Sequence, residues 1–148
     1  MKKFSFSLQK LLNYKEQVFD AEMTTLAEMR AVLATLEGEL ADMQTERKTR
    51  YADFTSRAAR GIAAIEMETH KNYITMLDFA TKQKQNQIEM QQRAVDKQAE
   101  KVFECKMEIS TMEKLREKKL EEYNSMVAKA EEIFIEEFVT NSKALKAG

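Results

Sequence analysis

The chain has 148 residues, no proline, three glycines, no tryptophan and a formal net charge of −1. It omits the two strongest helix breakers and is dominated by unbranched helix formers, so the composition argues for long helices and against a compact globular core. About a third of the residues are charged, with both signs interspersed, and no overall field points to nucleic acid or an acidic membrane as partner.

The start, MKKFSFSLQKLL, has a basic tip followed by apolar residues. Gln9 and Lys10 interrupt it and no small-residue cleavage site follows, so it does not read as a signal peptide. No apolar run approaches the roughly 18–20 residues that span a bilayer. Cys105 is the lone cysteine and cannot form an internal disulfide. The expectation is a soluble, cytoplasmic protein.

From Leu8 the chain can be stepped by alternating 4 and 3 residues through Leu12, Lys15, Phe19, Glu22, Leu26, Met29, Leu33, Leu36, Leu40, Met43, Arg47, Arg50 and Phe54; ten of these fourteen are apolar. A sustained repeat of 3.5 residues marks a left-handed coiled-coil seam. The seam should be looser or wetter at Lys15 and Glu22 and again at Arg47 and Arg50. A second, weaker register runs from Met67 through Ile74, Leu77, Ile88, Val95, Val102, Cys105, Ile109 and Met112, interrupted by His70, Thr81, Lys84, Gln91 and Gln98. A shift near Arg116, a stutter that locally unwinds a coiled coil, carries it on through Leu120, Tyr123, Val127, Phe134 and Phe138.

Between the registers lies SRAARGIAAIE, residues 56–66. Glycine just past a helix end supplies a left-handed C-cap, and Arg57 and Arg60 suit the negative end of a preceding helix. The turn is therefore expected around residues 58–63. The fold predicted is all-α, an antiparallel coiled-coil hairpin forming one elongated domain over residues 1–148. Helix one spans about residues 5–57 and helix two, the longer, about 64–143. A single uninterrupted helix is the alternative, and it would leave both seams unpaired within the monomer.

A turn at Gly61 sets opposite one another residues whose numbers sum to about 122. Residues beyond about 120 then have no opposite number. The stretch EEIFIEEFV, residues 131–139, is accordingly expected to project as an exposed apolar patch, a feature that marks interaction sites.

No Walker loop and no G-x-G-x-x-G is present. His70, the single histidine, has no Cys or His partner at ligand spacing, so it reads as a structural residue near the turn. Cys105 and most of the ten methionines read as seam fillers. No catalytic, cofactor-binding or metal site is assigned, and an enzyme is not expected. The positive excess in RKTRYADFTSRAAR, residues 47–60, reads as a solvated face, with docking to an acidic protein surface as the alternative.

Three stretches resemble the flagellar type III export protein FliJ family. They are KFSFSLQKLLNYKE (residues 3–16), GIAAIEMETHKNYITMLDFA (61–80) and MEKLREKKLEEY (112–123), in the family's order and spacing. The resemblance implies a non-enzymatic, stalk-like coiled coil similar to the gamma subunit of rotary ATPases. Such a protein sits in the central hole of the hexameric export ATPase FliI, promotes ring assembly, contacts the export gate FlhA and can bind export chaperones. It implies peripheral association, through partners, with the cytoplasmic face of the inner membrane at the flagellar base. Carried onto this chain, the resemblance makes Leu8, Leu11, Leu12, Ile133, Phe134, Phe138 and Val139 the ATPase-binding end. It makes Tyr73, Leu77, Ala80 and Lys84 the gate-binding surface. Some relatives have Phe and His where this chain has Tyr73 and Lys84, and Leu77 also falls in the seam register. The rival readings are a structural coiled-coil homo-oligomer and the equivalent stalk of a virulence-type injection system.

Overall fold

Alternating apolar spacing and an absence of internal breakers produce two helices in the computed structural model, which describes residues 2–147. Helix α1 spans Gln9–Arg60, 52 residues, and α2 spans Ala64–Ala147, 84 residues. They pack antiparallel, and no strand occurs among the described residues. Residues 61–63 join them. Gly61 has φ 88, a left-handed conformation that side chains resist, and its N–H is donated to the Ala58 carbonyl at 3.2 Å. The predicted glycine cap is thus the element that ends α1. Arg57 and Arg60 lie in its last turn.

The chain forms two compact units. One, Ala21–Val102, contains the turn. Leu26, Leu33, Leu77, Val95 and Val102 are buried there, and all sit at predicted seam positions. The polar seam positions are bridged across the helices. Gln91 Nε2 donates to the Met29 carbonyl at 3.0 Å, and Gln98 Nε2 donates to the Glu22 carbonyl at 3.1 Å and its carboxylate at 2.5 Å. Arg47 meets Asp78 at 2.5 Å, and His70 packs at a tilt against Phe54 with ring centroids 5.8 Å apart. Because Gln98 and then Lys101 donate to it, the Glu22 carboxyl is held below its ordinary value. The hydrogen-bonded and ion-paired residues across these helices have numbers summing to between 119 and 125, around the predicted 122.

The second unit joins Met1–Asp20 with Phe103–Gly148. Leu12, Ile109 and Met112 form its core, with Phe19 packed against them. Lys15, another polar interruption, reaches Glu108 at 2.7 Å. In α2 the covered positions run Met67, His70, Ile74, Leu77 and onward to Ile109 at an average of 3.5 residues per step. From Ile109 through Met112, Arg116, Leu120 and Tyr123 to Val127 the average becomes 3.6. The predicted stutter at Arg116 is the cause, since two successive steps of four bring the stripe back to the pitch of a straight helix.

One end departs from expectation. Helix α1 begins at Gln9 rather than near residue 5, and residues 2–6 are not helical. Leu8, expected in the seam, is consequently 37% exposed, and Phe6 is buried in its stead. The alternation of Phe4 and Phe6 with Ser5 and Ser7 has the period of an extended segment, which sets both rings on one side of the chain's start; Phe4 lies against α2 and Phe6 is buried.

Candidate functional site

The non-helical start of the chain clasps α2. The Phe4 ring lies against Tyr123, centroids 5.7 Å apart, and the Arg116 guanidinium sits 5.5 Å over the same ring. Arg116 Nε also donates to Gln9 Oε1 at 3.0 Å, and the Tyr123 hydroxyl donates to the Lys2 carbonyl. These contacts satisfy backbone and ring groups that a helical start would have placed elsewhere. Helical periodicity does not anticipate them, although the F-x-F alternation is their signal.

Val127 is the last half-buried residue of α2 before a run, 128–141, in which every residue is exposed. Within that run Phe134 is 69% and Phe138 65% exposed, beside Ile133, Ile135 and Val139. Val127, Ala130, Glu131, Phe134 and Ile135 line a shallow apolar concavity. Large apolar side chains gathered on a solvated helix cost hydration free energy that burial against a partner would recover.

The seven residues of the expected ATPase end do not form one surface. Ile133, Phe134, Phe138 and Val139 share the exposed run, and Leu8 and Leu11 are exposed at the beginning of α1. Gln9 lies beside Arg116, which is eighteen residues before Phe134 in α2, about 27 Å at 1.5 Å per residue. Leu12 is 3% exposed and belongs to the core cluster, so it supports this end from within.

The four residues of the expected gate surface face α1. Leu77 is 6% exposed in the seam and Ala80 is half-buried beside it. Lys84 Nζ reaches Glu39 at 2.6 Å. Tyr73 donates its hydroxyl to Glu46 while the Arg50 guanidinium lies 4.8 Å over its ring. That hydrogen bond, with partial burial, holds the Tyr73 phenol above its ordinary pKa. The stripe therefore borders the interhelical seam, with only its edges open to solvent.

Among the described residues no group of acidic, His and Cys side chains is placed to hold a metal ion, and no helix is long and apolar enough to cross a membrane. The family model described as Flagellar FliJ protein matches residues 4–146, nearly the whole chain. No curated protein and no solved structure matches it.

Proposed function

The chain belongs to the flagellar FliJ family and is a coiled-coil protein of flagellar export, and we propose that it serves there as a stalk without catalytic activity of its own. In this reading the C-terminal end of α2 enters the central hole of the hexameric export ATPase FliI and favours ring assembly. A second surface contacts the export gate FlhA, and export chaperones bind as further clients. The chain then sits at the cytoplasmic face of the inner membrane through these partners. The observation that carries the reading is the exposed apolar run at Ile133, Phe134, Phe138 and Val139, which nothing among the described residues covers. Leu8 and Leu11 supply a separate contact, held in place by Leu12 beneath them. The gate contact is assigned to the open edges of Tyr73, Ala80 and Lys84, with Leu77 as their support.

The test is FliI ATPase activity and ring formation with the full chain and with a chain ending at Ala130. Cutting there spares Tyr123 and the clasp. The full chain is expected to stimulate both, and the shortened one neither; equal stimulation by the two refutes the reading. For the gate, Tyr73→Ala is expected to weaken capture by the FlhA cytoplasmic domain while leaving FliI stimulation intact.

A further inference from the structure

Resting on the stalk reading, we propose that the C-terminal end of α2 is built for an apolar socket rimmed by lysine and arginine, and that its own glutamates bar it from pairing with a second copy. Two features of the end set these requirements, one of shape and one of charge.

The shape requirement comes from continuity with the seam. Val127, Phe134 and Phe138 are spaced by seven and four residues, which at 100° per residue keeps them within about 40° on one edge of the helix. This edge prolongs the stripe that includes Tyr123 and Val127, both half-buried. Ala130, small and set between Val127 and Phe134, leaves the concavity that a protruding side chain of a partner would fill.

The charge requirement comes from Glu131, Glu132, Glu136 and Glu137. From residue 130 to 142 these four are the only charged side chains; the nearest cations are Lys129 and Lys143. Among the described residues none of the four is ion-paired within the chain. At 100° per residue Glu131 and Glu137 flank the edge of Val127, Phe134 and Phe138, about 20° and 60° beyond its two sides, whereas Glu132 and Glu136 lie on the far side of the helix. Acidic side chains beside an apolar edge select a partner with the opposite sign there. They also select against self-association. Parallel pairing in register sets each glutamate at the level of its own copy. Antiparallel pairing that brings Phe134 level with Phe138 sets Glu131 level with Asn141 and Glu137 level with Ile135, so the glutamates beside the edge meet no cation. Sliding the register until Lys143 meets Glu132 leaves Phe134 opposite Asn141. No such register satisfies both the rings and the charges.

Rim charges govern association rate and its salt dependence, whereas buried apolar anchors govern dissociation. The experiment is binding kinetics on purified FliI across a salt series. It compares the full chain, a variant with Glu131, Glu132, Glu136 and Glu137 all changed to Gln, and the pair Phe134→Ser with Phe138→Ser. The glutamine variant is expected to associate about tenfold more slowly at low salt and to lose most of its salt dependence. The serine pair is expected to dissociate faster at every salt concentration. Circular dichroism checks that helix content is unchanged in both. Light scattering on the free proteins at micromolar concentration is expected to give a monomer for the full chain and dimers for the glutamine variant. If the serine pair loses binding while the glutamine variant associates as the full chain does, this inference is overturned and the stalk reading stands. If the full chain does not bind FliI, both fall. A full-chain dimer dissolved by the serine pair also overturns the inference.

Discussion

Leu12→Ala and Phe134→Ala remove the same kind of group from opposite situations, and their effects should be opposite on stability and binding. Leu12 is 3% exposed and packs with Ile109, Met112 and Phe19. Burying a leucine side chain contributes about 1.5–3 kcal/mol, and truncation adds the cost of the cavity left behind. A two-helix interface has solvent along both flanks, so much of that cavity refills. The expected loss is about 2–3 kcal/mol, in the lower half of the range for such truncations. For a chain of this size that corresponds to roughly 5–10 °C in Tm. Phe134 is 69% exposed, so its truncation should change stability by less than about 0.5 kcal/mol and barely move Tm. Thermal unfolding followed by far-UV circular dichroism measures both. Stimulation of FliI should be abolished by Phe134→Ala combined with Phe138→Ala and retained by Leu12→Ala below its lowered Tm. A drop in Tm for Phe134→Ala as large as that for Leu12→Ala would show that the end is covered in the free chain and would refute the argument.

The two described glycines should respond in opposite directions. Gly38 is exposed inside α1, and a methyl group added there would meet nothing within 4 Å, so Gly38→Ala should add about 0.5–1 kcal/mol. Gly61 has equal space but φ 88, so Gly61→Ala should cost about 1–2 kcal/mol in urea unfolding through backbone strain alone. Glu22, whose folded-state pKa is lowered, contributes stability above the ordinary carboxyl range and loses it as pH falls through the lowered value. The Tm advantage over Glu22→Gln should therefore be present at neutral pH and shrink below about pH 4. Tyr123→Phe removes the hydroxyl donated to the Lys2 carbonyl and should cost about 0.5–1.5 kcal/mol, with faster amide exchange in residues 2–7 and unchanged helix content.

Much of the fold was legible because one physical signal dominates it. The 3.5-residue spacing from Leu12 to Phe54 and from Met67 to Met112 identifies the covered face of each helix, and Gly61 identifies where they reverse. Even the polar interruptions were informative: Lys15, Glu22 and Arg47 mark layers bridged by ion pairs and hydrogen bonds in place of apolar packing. The clasp was not legible from helical periodicity, since Phe4 and Phe6 obey a period of two over too short a stretch to outweigh the helix pattern that follows. At the candidate site, counting across the turn left residues beyond about 120 without a partner, yet the exposed run begins only at 128, because the chain's start lies against Tyr123. The family resemblance marked Leu12 and Leu77 as contact residues while the heptad marked them as seam, and both are buried. A motif records which positions matter to a family without recording whether a side chain points inward. Periodicity does record that.

The three-residue connection between α1 and α2 has a consequence for how such a chain can change length. With so little slack at residues 61–63, every cross-helix partner in the unit Ala21–Val102 is assigned by counting from the turn. Deleting one residue from either helix swings every side chain beyond it by about 100° and sets apolar positions against solvent. Deleting seven from one helix keeps each face intact yet leaves Gln91, Gln98 and Lys84 beside the wrong partners. Only matched heptads, one taken from each helix on the same level, preserve all the pairs, and each such removal shortens this unit by about 10 Å. Lengthening and shortening in this fold are therefore quantised and come in pairs, and homologous chains of different length should differ by gaps placed symmetrically about the glycine.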